Sequence, residues 1–272
     1  MKNVKIYLSE IKKQIEFFNG FVLMLDFDGT ISPICSTPDE AYLPERNKFN
    51  LEIISRLFPV AIISGRTIKD LKQKIGINDF VYSGSHGLEW NIATLKKRKH
   101  VPRRILKTFK EIKIKIKKLL PRYPGMIIED KPFTLPFHYR LIEPGQVPIF
   151  KRDVSKILKS VYNDKTIRVI DNKKTIELVP KLNWDKGDIV KLIYKYLQDK
   201  NKKRSVPIYI GDSLTDEDAF RVLKNGITIR VRPKKGSSAK YYFKSRAEVD
   251  RFLVWLASYC EGLEASSTKR HK

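Results

Sequence analysis

Cysteine is nearly absent: Cys35 and Cys260 are the only two in 272 residues. They stand far apart and in no paired spacing, which argues against a disulfide framework, a cysteine-based zinc site and a CxxC redox centre. Histidine is equally scarce, with four residues and no HExxH pattern, so a zinc-protease reading has no support. No apolar run is long enough to span a bilayer. The N-terminus, MKNVKIYLSEIKKQIEFF, is charged throughout and lacks the apolar block of a signal peptide. The expectation is a reducing, cytoplasmic setting with no membrane span. Acid is short relative to base: 30 Asp and Glu against 55 Lys and Arg, a net charge of +25. Such an excess fits nucleic acid, an anionic membrane, an anionic small molecule, or a lysine-rich solvated surface. The most basic stretch, 96–118, carries a single aromatic, Phe109, rather than an interleaved series, and resembles no base-reading module, which argues against nucleic acid as a partner.

What is present is enough apolar material, 42% of the chain, for one large domain or a core with a smaller insert. FVLMLDFDG (21–29), FPVAIISGR (58–66), DFVYSGSHG (79–87) and VPIYIGD (206–212) are near-continuous apolar runs that end in polar residues. Helical patterns alternate with them, so the expected fold class is α/β with a Rossmann-like parallel-sheet core. Between them the pattern changes. Residues 101–120 carry Ile105, Phe109, Ile112, Ile116 and Leu119 on one helical face. Two strands, a helix over 147–161 and a hairpin turning at 171–174 follow. The expected layout is a core of 1–96 and 179–262, an inserted α+β cap at 97–178, and a disordered tail at 263–272.

In a parallel sheet, ligands bind outside the carboxyl ends of the strands. Asp26, Ser64, the loop Gly84–Gly87 and Asp212 each stand at such an end. Asp26 and Asp28 lie two apart, so an extended chain sends both side chains the same way. Two carboxylates can share a hard divalent cation, and one can attack phosphorus while the other handles a proton. The alternative is an Asp-Gly turn after a core strand. Asp212, with Asp216 four residues on, can complete the oxygen shell of a metal; the alternative is acid at a helix N-terminus. Ser64-Gly65-Arg66 opens a helix and suits a phosphate oxygen, although Ser64 or Thr67 can equally be a plain N-cap. Lys186 begins a helix, where acids are preferred, and a nearby phosphate would explain it. For His86, His138 and Arg140, a packed histidine or a surface arginine stands beside any binding role.

These motifs, in this order, resemble the haloacid dehalogenase superfamily of phosphatases: DFDGT (26–30), ISGR (63–66), WDKG (184–187) and IGDSLTDE (210–217). More narrowly, the chain is similar to the trehalose-6-phosphate phosphatase family, through YSGSHGLEW (82–90), EDKPFTLPFHYR (129–140), IELVPKLNWDKG (176–187) and SRAEVDRFLVWL (245–256). The resemblance covers about residues 20–258. It implies a haloacid dehalogenase core with an α/β cap, and Mg2+-dependent hydrolysis of trehalose 6-phosphate through an aspartyl-phosphate. Asp26 would be the nucleophile and Asp28 the general acid, then base. Asp26, the backbone carbonyl of Asp28, and Asp212 would hold Mg2+, with Asp216 orienting metal-bound water. Ser64, Gly65, Thr30 and Lys186 would hold phosphate. Arg66, His86 and Glu89, with Lys131, His138, Arg140 and Glu177 from the cap, would bind the sugar. A trehalose-6-phosphate synthase would be the pathway partner. Ser213 departs from the family, which commonly has a second aspartate there. Rival readings are a related phosphatase acting on sucrose phosphate, mannosyl phosphoglycerate or another sugar phosphate; a basic nucleic-acid-binding protein; and a scaffold that keeps the fold without the chemistry.

Overall fold

The computed structural model describes residues 1–92, 95–201 and 204–269. The chain divides into two compact units, one of Met1–Ile34, Ala41–Lys97 and Asp185–Lys272, the other of Cys35–Glu40 and Arg98–Trp184.

The first unit is built on a nine-stranded sheet among the described residues. From one edge its order is Lys2–Asn3, Tyr241–Phe243, Ile227–Val231, Val206–Gly211, Phe21–Leu25, Val60–Ile63, Val81–Gly84, Glu89–Ile92 and Leu95–Arg98. The first seven pair in parallel, and Glu89–Ile92 turns back antiparallel on Val81–Gly84. The continuous apolar runs of the sequence have their reason here. Phe21–Leu25, Val206–Gly211 and Ile227–Val231 are buried along their whole lengths, as strands covered on both faces must be.

Chain order reverses between Phe21–Leu25 and Val206–Gly211. From the first, the chain winds outward through Val60–Ile63 and Val81–Gly84; from the second, it winds the other way. This is a topological switch point, the crevice where open α/β sheets bind ligands. The register pairs Leu25 with Ile210, so Asp26 and Gly211 leave the sheet side by side. Away from the crevice, Asn47 fastens the helix Glu45–Leu57 to the closing helix through Asp250 (2.7 Å).

Both termini carry regular structure. At the N-terminus, Lys2–Asn3 adds an edge strand beside Tyr241, and a helix follows over Leu8–Phe17. The tail expected to be disordered from 263 continues the helix Arg246–Lys269. No helix-stopping proline follows Gly262 in the sequence, and Ser266 Oγ donates back to the Gly262 carbonyl at 2.8 Å, a bond typical of helical serine. Residues 270–272 lie outside the described residues.

The second unit is a four-stranded antiparallel sheet in the order Ile127–Ile128, Leu135–His138, Thr175–Pro180, Ile167–Asn172. The helices Arg103–Lys117 and Val147–Ile157 bury Ile105, Phe109, Ile112, Ile116, Phe150 and Val154. The expected helix over 147–161 breaks after Ile157, and a further turn occupies Lys159–Tyr162. The hairpin turns on Lys173 and Lys174, with φ of +53° and +65°. Positive φ at both central residues suits the twist of a two-residue hairpin. The insert was expected at 97–178. This unit runs on to Trp184 because the exit stays on its own sheet, where Lys181 N–H donates to the Thr166 carbonyl at 2.7 Å. It also takes in Cys35–Glu40, where the backbone N–H groups of Ser36 and Thr37 both donate to Glu40.

Candidate active site

Asp26 follows a strand of zero exposure and is itself 5% exposed. Its N–H still donates to the Ile210 carbonyl (2.9 Å), which locks it to the neighbouring strand. The chain then folds sharply: the N–H groups of Thr30, Ile31 and Ser32 all donate to the Phe27 carbonyl. Gly29 is required in this turn. Its φ is +81°, and a Cβ there would stand 2.3 Å from Asp212 Oδ2. Two motifs 184 residues apart are thereby brought into contact, and only a glycine leaves room for the carboxylate.

Lys186 is buried between two acids. Its Nζ lies 2.8 Å from Asp26 Oδ1 and 2.6 Å from Asp216 Oδ1. The helix start that carries it is capped independently. Asp185 accepts from the N–H groups of Gly187 (2.7 Å) and Asp188 (3.2 Å), while Asp188 accepts from the Asp185 N–H (2.9 Å). This reciprocal cap supplies the acid that a helix N-terminus favours, so Lys186 is spared for the site. Burial by itself would lower the lysine's pKa, but the charges of Asp216 and Asp26 outweigh it and hold the ammonium above its ordinary value. Burial likewise pushes the Asp216 carboxyl up, but Lys186 and hydrogen bonds from Ser213 and Tyr209 bring it down to about 2.

Asp216 accepts five hydrogen bonds. Lys186 and the Tyr209 hydroxyl (2.7 Å) donate to Oδ1; the Asp212 and Ser213 N–H groups and the Ser213 hydroxyl (2.6 Å) donate to Oδ2. Tyr209 is held neutral, its pKa raised first by burial and then by the charges of Asp216 and Asp26. Ser213, the departure in the fourth motif, is thus part of the clamp on Asp216. Gly211 makes this possible: a Cβ on it would lie 2.3 Å from Asp216 Cγ.

Asp28 turns to Arg66. The guanidinium donates from Nε to Oδ2 and from Nη2 to Oδ1, both at 2.8 Å, and from Nη1 to Asp70 at 2.6 Å. Burial opposes the charge on Arg66, and the two carboxylates restore it, so its pKa is raised. Ser64 is buried and accepts from the Arg66 N–H (3.3 Å), while the Thr67 hydroxyl accepts from Asp70 N–H. The N-cap is therefore Thr67, which leaves Ser64 at the strand end. Thr30 Oγ reaches Asp26 Oδ2 at 3.5 Å.

The loop after Val81–Gly84 is strained. Ser85, His86 and Gly87 all have positive φ, at +51°, +58° and +94°. The His86 ring packs on Gly65, where a Cβ would stand 2.6 Å from the imidazole. Glu89 holds the loop, its Oε1 accepting from the Ile68 N–H and the Ser85 hydroxyl, both at 3.1 Å.

In the other unit, Glu129 gathers two of the sequence candidates. Its Oε2 lies 2.6 Å from His138 Nε2 and 3.2 Å from Lys131 Nζ, and His138 Nδ1 meets the Thr175 hydroxyl at 2.8 Å. Burial alone would raise the Glu129 carboxyl, but His138 and Lys131 bring it to about 2. Arg140 donates instead to the Lys173 carbonyl at the hairpin turn (2.5 Å). Glu177 sits on the central strand opposite Pro136 and Ile170.

A family model described as Trehalose-phosphatase matches residues 24–249, most of the chain and both units. The chain belongs to the trehalose-phosphatase family. Among curated relatives, trehalose-phosphate phosphatase B of Arabidopsis thaliana is 29% identical over 253 residues, covering 88% of this chain and 66% of that protein. Probable trehalose-phosphate phosphatase D of the same plant is 32% identical, covering 88% and 67%. The trehalose-phosphate phosphatase of Mycobacterium marinum is 31% identical, covering 87% and 61%. This chain thus spans about two thirds or less of these relatives' lengths. The C-terminal domain of C. albicans trehalose-6-phosphate phosphatase shares the fold, with a TM-score of 0.76 at 22% identity, covering 92% of this chain and 96% of that one.

Members of the trehalose-phosphatase family carry a haloacid dehalogenase core, whose chemistry implies a divalent metal. One carboxylate oxygen each from Asp26, Asp212 and Asp216 lie within 4.8 Å of one another, all three residues buried. An all-oxygen set of this kind fits a hard cation. Asp216, with five donors already on it, fits better as a fixed prop than as a direct ligand. Sequence reasoning missed Tyr209, Glu129, Arg230 and Arg232. Arg230 donates to the carbonyls of Asp212 (2.8 Å) and Ser213 (3.0 Å), and Arg232 to Asp212 Oδ2 (2.6 Å). A signal existed for the last two: arginines two apart inside and just after an apolar strand, GITIRVR (226–232), where charge is expensive unless paired.

Proposed function

We propose that this chain is a Mg2+-dependent phosphatase that hydrolyses trehalose 6-phosphate to trehalose and inorganic phosphate. The observation that carries the reading is Lys186, buried between Asp26 and Asp216 beside Asp212 at the switch point. A phosphate monoester repels anionic nucleophiles, so its hydrolysis needs positioned positive charge more than covalent help. Mg2+, held by Asp26 and Asp212 with the Asp28 carbonyl, would neutralise charge on the phosphate oxygens. A carboxylate nucleophile needs no deprotonation at neutral pH, so Asp26 acts without a base. One oxygen of the Asp26 carboxylate forms the bond to phosphorus as the bond from phosphorus to the sugar oxygen breaks. Asp28 gives its proton to that oxygen. It then takes a proton from the water that attacks the aspartyl-phosphate, releasing phosphate and restoring Asp26.

Asp28 as seen here accepts two N–H bonds from Arg66, so its acid role requires that ion pair to open. The incoming phosphate offers Arg66 another anion. Lys186, Ser64, Gly65 and Thr30 hold phosphate in this reading, and Asp216 orients the metal's water. Sugar recognition falls to Arg66, His86 and Glu89 of the core unit and to Lys131, His138, Arg140 and Glu177 of the insert, which acts as a cap. A disaccharide is a field of hydroxyls, best read by polar groups that a wrong ligand would leave unpaired. A trehalose-6-phosphate synthase would supply the substrate, and two free cysteines suit a reducing, cytoplasmic setting. No helix among the described residues is long and apolar enough to cross a membrane.

The test is phosphate release from trehalose 6-phosphate, sucrose phosphate and mannosyl phosphoglycerate, with and without EDTA. Preference for the first and loss in EDTA are expected; equal rates on all three overturn the substrate, and indifference to EDTA overturns the metal. Asp26→Asn should abolish turnover with an unchanged circular dichroism spectrum, and a fully active variant overturns the mechanism.

A further inference from the structure

Asp212 already has a cation. Arg232 Nη2 lies 2.6 Å from Asp212 Oδ2, and the same nitrogen stands 3.2 Å from where a Cβ on Gly29 would be. The guanidinium therefore reaches the DFDGT turn and the fourth motif together. The two ends of the pair differ. The Asp212 side chain is wholly buried, whereas that of Arg232 is 52% exposed. Lys186 and Arg230, the other cations at this strand end, are 2% and 6% exposed and bridge several groups each. Arg232 is thus the cation that can swing into water while the carboxylate stays in place.

The backbone makes the same point. Arg232 has a φ of +63°, a left-handed conformation, and it precedes Pro233. Positive φ is uncommon for a residue with a side chain, and the position before proline is biased toward extended backbone. The conformation is held by the Arg232 N–H, which donates to the Phe243 carbonyl at 2.8 Å. Strain of this sort persists where surrounding structure enforces it, and it is concentrated at ligand clamps and switches.

We propose that Arg232 is the resident counter-ion of Asp212, competing with the divalent metal for that carboxylate and so setting the affinity of the site. This rests on the metal reading above. Both cations draw on the same carboxylate, and their mutual repulsion at such short range makes the presence of one weaken the binding of the other. Arg232 is then a positioning residue: it keeps the buried carboxylate paired before the metal arrives and moves to solvent when it does.

The test is calorimetric titration of Mg2+ into the whole protein at low ionic strength without substrate. The wild type is compared with Arg232→Gln, which removes the charge, and Arg232→Gly, which also relieves the backbone. Both variants should bind the metal roughly five-fold more tightly, the upper range for a half-exposed ion pair. The rise in melting temperature at saturating Mg2+ should be larger than in the wild type. Equal or weaker binding by both variants overturns the proposal and leaves Arg232 a structural clip. No uptake by the wild type overturns the metal reading and the proposal with it, so the two failures are distinguishable.

Discussion

Replacing Lys186 by Met keeps the length of the side chain and removes its charge. In the wild type, Lys186 is 2% exposed and its ammonium lies within 2.8 Å of both Asp26 and Asp216, themselves 5% and 0% exposed. Removing one partner of a buried ion pair leaves charge without compensation and costs about 3–5 kcal/mol. Here one cation serves two acids, so the upper half of that range applies in EDTA. The pH dependence has a definite sign. Burial opposes the Asp216 charge, but Lys186 and its hydrogen bonds hold the carboxyl below its unfolded value of 3.8. The resulting stability is present above about pH 4 and is lost as pH falls through the lowered folded value. Without Lys186 the sign reverses: burial and mutual repulsion disfavour the carboxylates, so acid protonates one and restores stability. The gap between variant and wild type should therefore be widest at pH 7 and narrower at pH 4.5. Urea unfolding followed by far-ultraviolet circular dichroism measures both gaps. A difference under about 1 kcal/mol at pH 7, or a gap that widens in acid, would refute the reasoning.

The Asp216 prop is testable from its other side. Gly211→Ala puts a methyl 2.3 Å from Asp216 Cγ, so the carboxylate must leave Lys186; phosphate release should fall roughly 10²-fold, the scale of an ångström's misplacement, and wild-type turnover would contradict this. In the insert, the Glu129 carboxyl titrates near 2 against 4.5 in the unfolded chain. Its contribution, on the order of 3 kcal/mol, is complete above about pH 4.5 and disappears as pH falls toward 2. Melting temperature should therefore drop more steeply in the wild type than in Glu129→Gln across pH 4.5–2.5, and parallel curves would remove the ion-pair explanation.

Much of the site was legible because its positions are local properties of the chain. A buried apolar run followed at once by an acid, as in FVLML-Asp26 and VPIYI-Gly211-Asp212, reads as a parallel strand delivering a carboxylate to the sheet's ligand-binding edge. Partners were not legible, because nothing local specifies them. Asp28 and Asp26 look equivalent in DFDGT, yet one meets Arg66 and the other Lys186. Ser213 reads as a missing acid, whereas folded it is a donor to Asp216. Asp185, one residue before Lys186, carries the same charge as Asp26 and Asp212 and uses it on a helix cap.

By itself, then, the sequence determined the α/β core and the order of its motifs, since apolar periodicity and glycine placement act within one element. The tertiary structure alone decided which charges neutralise which. Lys186 and Asp26 are 160 residues apart in the chain, and Asp212 faces Arg232 only because the strands Val206–Gly211 and Ile227–Val231 are neighbours in the sheet. Electrostatic pairing depends on distance and burial, and both come into existence only when the sheet closes.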